Sequence, residues 1–131
     1  MNDIKTIREK VRSLHVLLVD DEDLILEGTS AFLRKFFDQV DTAKNGEIGL
    51  EKFKNDGPYD IVLSDIQMPK MSGDKLIEAI KKMNTTVFTA IMSGSPGLDK
   101  DLGLCDIYLT KPITIDSMMK ILNMIIAKKN L

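Results

Sequence analysis

Two short apolar runs, each ending in aspartate, constrain this chain more than any other feature. They are His15-Val16-Leu17-Leu18-Val19, closed by Asp20-Asp21-Glu22-Asp23, and Ile61-Val62-Leu63, closed by Ser64-Asp65. Runs this short and continuously apolar read as strands covered on both faces, as in a parallel sheet between two layers of helix. A carboxylate at the tip of a buried strand is costly unless a cation or a donor meets it. Pro69 and Gly73 are read as keeping the segment after Asp65 out of helix until Asp74.

The intervening stretches carry helical spacing. Leu24, Ile25, Ala31, Phe32, Leu33, Phe36 and Phe37 predict a helix over 24–37. Asn45-Gly46 opens a second helix through about Asn55, with Ile48 and Phe53 inward and Gly57-Pro58 as its stop. Leu76, Ile77, Ile80 and Met83 mark a helix over 74–83, and Ile115, Met118, Leu122 and Ile125 one that starts at Thr114. Strands are expected at 39–43, 87–92 and 106–110 as well. Such alternation predicts an α/β domain, a doubly wound five-stranded parallel sheet with helices on both faces. Upstream, Ile4, Ile7, Val11 and Leu14 predict a short amphipathic helix in an N-terminal extension over 1–14. A leader packed on its own domain is favoured there over a partner or dimer contact. Residues 15–131 form the domain proper.

Composition narrows the function classes. The net charge of -2 makes no electrostatic case for nucleic acid or a membrane surface. One cysteine, Cys105, excludes an internal disulfide and a cysteine-built zinc cluster, and its apolar neighbours favour a small core residue over a reactive thiol. No run approaches membrane-spanning length and the start lacks a signal-peptide core, so a cytoplasmic location is expected.

Right-handed crossovers place the C-terminal ends of all five strands on one edge, where open sheets of this kind bind ligands. The residues just past those ends are Asp20, Asp21, Asp65, Ser93 and Lys111. Three close carboxylates with one lysine call for a hard divalent cation, and Mg2+ suits them because it keeps waters and a phosphate oxygen. Asp65 would then be a nucleophile toward phosphorus, with Lys111 offsetting phosphate charge and Ser93 bonding a transferred oxygen. Taken singly, each has a plainer role: Asp20 to Asp23 as a helix cap, Ser93 as a turn residue, Lys111 as a solvated lysine. Tyr108 alone is a half-buried strand aromatic, His15 a structural histidine, and Met118, Met119 and Met124 core filler. Convergence at one edge favours the joint reading.

Four blocks, in order and spacing, resemble the receiver domain of bacterial two-component response regulators. They are Val16-Leu17-Leu18-Val19-Asp20-Asp21-Glu22, Asp65-Ile66-Gln67-Met68-Pro69-Lys70-Met71-Ser72-Gly73, Met92-Ser93-Gly94 and Tyr108-Leu109-Thr110-Lys111-Pro112. Ala43-Lys44-Asn45-Gly46-Glu47 fits a weaker fifth. The resemblance implies a flavodoxin-like sheet of order 2-1-3-4-5 and a phosphorylation switch. Asp65 would be the phosphoacceptor, charged by a histidine kinase or phosphotransfer protein. It further implies Mg2+ held by Asp21, Asp65 and the Gln67 backbone carbonyl, with Asp20 acting through water. Lys111 would bind phosphate ahead of a cis Pro112, Ser93 and Tyr108 would be the switch pair, and Gln67 and Ser95 would tune self-dephosphorylation. An unknown downstream protein would read a monomer or a phosphorylation-dependent homodimer.

Pro96-Gly97 and Gly103 leave only Leu98 to Leu102 for the helix between the fourth and fifth strands, so a shortened fourth helix of this fold is expected. Two rival functions stand beside the switch. One is a degenerate receiver that binds a partner without phosphorylation. The other is a haloacid-dehalogenase-like phosphatase with Asp21 as nucleophile in Asp21-Glu22-Asp23. The latter needs an acidic pair after the lysine, where only Asp116 follows, and leaves Asp65 unexplained.

Overall fold

The computed structural model describes residues 3–94 and 105–131. Five parallel strands, β1 (His15–Val19), β2 (Gln39–Ala43), β3 (Ile61–Asp65), β4 (Phe88–Ser93) and β5 (Ile107–Thr110), lie in the order β2-β1-β3-β4-β5. The helices are α1 (Ile4–Val11), α2 (Asp23–Leu33), α3 (Gly46–Asn55), α4 (Gly73–Met83) and α5 (Ile115–Lys129). The expected sheet order is therefore observed. Leu98 to Leu102, the segment predicted as a shortened helix, lie outside the described residues.

Strand alternation sorts the core into two halves. Val16 and Leu18 of β1, Ile61 and Leu63 of β3, and Phe88, Ala90 and Met92 of β4 face the layer that contains α1, α2 and α5. Leu17, Val19, Val62 and Ile91 face the layer of α3 and α4. Chain order explains this: β1 to β2 runs one way along the sheet, β2 to β3 to β4 the other, so right-handed crossovers put α2 and α3 on opposite faces. The reversal lies between β1 and β3, beneath Asp20 and Asp65.

Several sequence expectations need correction. Ile115 is 53% exposed and Ile48 38%, although both were expected to face inward, and Leu24 of the predicted 24–37 helix is 82% exposed. All three occupy first turns of helices, which stand above the strand ends and have no sheet to cover them. Leu26 and Ile121 take the inward places instead, and Met83 at the far end of α4 is also exposed. The first long helix stops at Leu33, not Phe37, and the Arg34 guanidinium there donates to the Val40 carbonyl at 3.0 Å. Helix α4 starts one residue early, at Gly73, capped by the Ser72 hydroxyl.

Helix α1 is part of the core. Ile7 and Val11 are fully buried against the layer of Leu33, Phe36, Phe37 and Ile125, while Ile4 stays exposed. Arg8 Nε donates to the Lys35 carbonyl at 2.9 Å, and Arg12 Nε to Asp38 Oδ2 at 3.1 Å, tying α1 to the end of the α2 segment. Ile7→Ala is expected to lower unfolding stability by about 2–5 kcal/mol, read as a lower urea midpoint at unchanged slope. Gly28→Ala should do the opposite. Gly28 sits inside α2 and an added Cβ would meet nothing within 4 Å, so about 0.5–1 kcal/mol of stability is expected from helix propensity, measured in the same titration.

His15 is structural, as its position suggested. Its Nε2 lies 2.8 Å from Asp41 Oδ2 and its Nδ1 3.1 Å from the Pro58 carbonyl, with the Tyr59 ring tilted against it at 4.1 Å between centroids. The Tyr59 hydroxyl donates to the same Asp41 oxygen at 2.6 Å, and burial followed by this bond pushes the phenol well above its ordinary range. The cluster pins β1, β2 and the entry to β3 at the edge remote from the strand tips.

Candidate functional site

Register sets the site. Val19 pairs with Ser64, so Asp20 and Asp65 follow side by side; Asp65 pairs with Met92, and Ser93 with Thr110. Asp20, Asp21 and Asp65 each offer a carboxylate oxygen within 4.8 Å of the others. Asp20 is 1% exposed and Asp65 7%, whereas Asp21 is open to solvent. The Lys111 ammonium bridges the two buried acids, donating to Asp20 Oδ2 at 2.9 Å and lying 3.2 Å from Asp65 Oδ1. A cleft of about 370 Å³ opens over this group, lined by Asp21, Asp65, Gln67, Ser93 and Lys111 among others.

The electrostatics fit a site that lacks positive charge. Burial pushes the Asp65 carboxyl above the usual carboxylate range; Lys111 opposes this, and the Asp20 charge adds to it. The bond from the Ile66 N–H, at 2.9 Å, also favours the charged form without offsetting burial. For Lys111 burial works downward, but the bond and charge of Asp20, with those of Asp65, carry the ammonium above its ordinary value. One lysine thus serves two buried acids with Asp21 beside them, and Glu22 Oε1 stands only 3.8 Å from the same nitrogen. A hard cation with oxygen ligands matches that donor set, because the acids outnumber the one ammonium and one acid faces solvent.

Local sequence builds the support. Asp20 Oδ1 accepts the Glu22 N–H at 3.0 Å, turning the chain from β1 into α2. Beyond Asp65, the Gly73 N–H donates to the Ile66 carbonyl at 2.8 Å, closing the Met68-Pro69 loop against the strand tip. Only a residue without Cβ fits there, since a Cβ on Gly73 would overlap the Asp65 carbonyl oxygen. Lys111 N–H donates to the Ser93 carbonyl at 2.7 Å, and the Lys111-Pro112 bond is cis, as the resemblance implies.

The structure brings Asp20, Asp21, Asp65, Gln67, Ser93 and Lys111 around one cleft. Tyr108 is half-buried on β5, with its hydroxyl directed to Asp74 Oδ1 at 3.3 Å. Ser95 lies outside the described residues. Cys105 is half-buried, donates to the Ile107 carbonyl at 3.3 Å, and has its thiol pushed up by burial, in keeping with a packing role. Two neighbours of the site escaped sequence reasoning. Glu22 was folded into an acidic run, and Asp74 gives no sign in the sequence that β5 will reach it.

A doubly wound sheet with three carboxylates and a lysine at its switch point defines a class of phosphate- and cation-handling α/β domains. The sequence profile of the response regulator receiver domain matches residues 16–123, and the chain belongs to that family. It is similar to the transcriptional regulatory protein CseB of Streptomyces coelicolor, 36% identical over 101 residues that cover 75% of this chain and 43% of CseB. The chain thus spans about half the length of the first curated relatives it matches. Among solved structures it resembles the response regulator protein TrrA of Thermotoga maritima in complex with Mg2+-BeF. There the TM-score is 0.78 at 30% identity, covering 86% of this chain and 99% of TrrA. It also resembles a structure of the histidine kinase ThkA in complex with TrrA, with a TM-score of 0.76 at 29% identity, covering 86% of this chain and 98% of that one. The protein is therefore a receiver domain of the two-component response-regulator kind, a signal-transduction module.

Proposed function

We propose that Asp65 accepts a phosphoryl group from a histidine kinase or a phosphotransfer protein and that the domain changes conformation in response. The observation that carries this is the pairing of a buried Asp65 with Lys111 at 3.2 Å beside two further carboxylates. A carboxylate oxygen of Asp65 attacks phosphorus, the bond from phosphorus to the donor histidine nitrogen breaks with its electron pair going to that nitrogen, and the ring, protonated on its other nitrogen, leaves as a neutral imidazole while an acyl phosphate forms. Asp21, Asp65 and the Gln67 carbonyl would hold Mg2+, with Asp20 acting through water. When bound, the cation supplies charge to the phosphoryl oxygens. Lys111 shifts its ammonium from the acids toward the same oxygens, and Ser93 donates its hydroxyl to one of them. Movement of Ser93 and reorientation of Tyr108 form the switch, and Gln67 and Ser95 tune self-dephosphorylation.

The domain is a signalling acceptor whose own chemistry is limited to gaining and losing this group. It works in the cytoplasm as a monomer or a phosphorylation-dependent homodimer, read by a downstream protein and without direct nucleic-acid contact. Residues 1–14 form an extension outside the family match that stabilises the domain over 15–131. Among the described residues no helix is long and apolar enough to cross a membrane. An apolar groove of about 580 Å³, lined by Ile25, Phe32, Pro112, Ile113 and Ile115, runs up to Lys111. A phosphodonor protein seated in it would present its phosphoryl group to Asp65.

Incubation with acetyl phosphate and Mg2+, followed by intact-mass measurement, tests the reading. One added phosphoryl group is expected, absent without metal and absent in Asp65→Asn. Modification that survives in Asp65→Asn and vanishes in Asp21→Asn would assign the nucleophile to Asp21 and point to the hydrolase. No modification in any form, together with no beryllofluoride binding, would point to a module that works without phosphorylation.

A further inference from the structure

The Tyr108 side chain lies on the face of the sheet that α4 covers and joins β5 to the first turn of that helix. Its partner Asp74 directly follows Gly73, whose N–H is tied to Ile66 and whose Cα lies against the Asp65 carbonyl. Tyr108 in turn stands three residues before Lys111, which reaches back to Asp65. The acceptor, its loop, the start of α4 and the aromatic on β5 therefore form one closed ring of contacts. The Tyr108 to Asp74 bond, at 3.3 Å, is the longest of them.

We propose that Asp74 is a positioning residue that holds the Tyr108 hydroxyl at the start of α4 and so sets how readily the phosphorylated conformation is reached. The inference rests on the phosphoacceptor reading and adds to it a regulator of the switch. A hydroxyl donor to a carboxylate normally sits at 2.5–2.7 Å, so this bond is stretched and weak. Weakness suits the role, because a latch must yield to a modest differential interaction with the phosphoryl group. The apparent affinity of a ligand that selects one conformation rises when the competing conformation loses a contact.

The test uses the full chain with Mg2+ and beryllofluoride as the probe, with affinity read by calorimetry. Asp74→Ala is expected to tighten binding about threefold, a change of the size a weak hydrogen bond supplies. Tyr108→Phe, which also removes the bond between the hydroxyl and the Cys105 thiol, should tighten binding at least as much, and adding Asp74→Ala to it should give no further gain. Asp74→Asn retains an acceptor oxygen without the charge and should bind like the wild type. The 19F resonance of Tyr108 in chain labelled with 3-fluorotyrosine should shift in Asp74→Ala and not in Asp74→Asn. Unchanged or weaker binding by Asp74→Ala, or equal tightening by Asp74→Asn, would overturn the latch while leaving Asp65 as acceptor. A wild-type chain that neither binds the probe nor takes a phosphoryl group would overturn both.

Discussion

Asp65→Asn is expected to unfold at a higher temperature than the wild-type chain in metal-free buffer at neutral pH, and to accept no phosphoryl group. Burial raises the Asp65 carboxyl above its ordinary value of 3.8; Lys111 relieves part of this, the Asp20 charge adds back less, and burial decides the direction. The folded state therefore holds this proton to higher pH than the unfolded chain does. The associated stability is complete below the ordinary value and is lost as pH rises through the raised one. At neutral pH the folded protein bears the full cost of the charge, and a neutral amide of the same shape removes it. Lys111 keeps Asp20 as its partner at 2.9 Å, so the change leaves no unpaired charge behind; a gain of about 1–2 kcal/mol is expected, raising the midpoint by about 4–8 °C for a domain of this size. The two chains should converge in acid, below the ordinary value, where both carry a neutral group at this position. Thermal unfolding at neutral pH and in acid checks the difference. A less stable Asp65→Asn at neutral pH would mean that the pairing with Lys111 outweighs burial. The variant would thus trade function for stability, as strained sites commonly do.

Gly73→Ala should act more severely and in the opposite sense. The added Cβ would overlap the Asp65 carbonyl oxygen and lie 3.0 Å from Ile66 Cα. Both obstacles are backbone, so no side-chain rotation relieves them. Either the tip of β3 or the start of α4 must move, which breaks the Gly73 to Ile66 bond and displaces the acceptor. A loss of about 3 kcal/mol or more is expected in urea titration, since overpacking against fixed backbone is among the few mechanisms that reach this size. Phosphorylation by acetyl phosphate should fall at least about tenfold in the molecules that remain folded. Stability and labelling close to wild type would show that the loop tolerates a shift at Asp65. Against Gly28→Ala, the pair isolates space as the deciding factor, because Gly28 has none of these neighbours.

The fold was legible where physics ties sequence to one outcome. Continuous apolar runs marked β1 and β3, and the polar residue after each strand marked the edge where the site lies. That edge was readable because parallel strands with right-handed crossovers leave no freedom about which ends gather. Depth along the edge was not readable. Periodicity tells which side of a helix is apolar but not where the sheet beneath it stops, so Ile48 and Ile115 are read as inward and are exposed. The same overhang leaves apolar side chains such as Ile25 and Ile115 beside Lys111, where a partner would approach. The stripe on α1 showed a helix, yet only the packing of Ile7 and Val11 shows that the core closes over it. Contacts between elements distant in sequence, such as Tyr108 with Asp74, leave no local pattern.

The most direct measurement traps the acceptor chemically. After brief reaction with acetyl phosphate and Mg2+, borohydride reduces an acyl phosphate on aspartate to homoserine, and peptide mass spectrometry locates the altered residue. Homoserine is expected at position 65, dependent on Mg2+, with Asp20 and Asp21 unchanged. Homoserine at position 21, or none anywhere in a chain that gains phosphoryl mass, would contradict it.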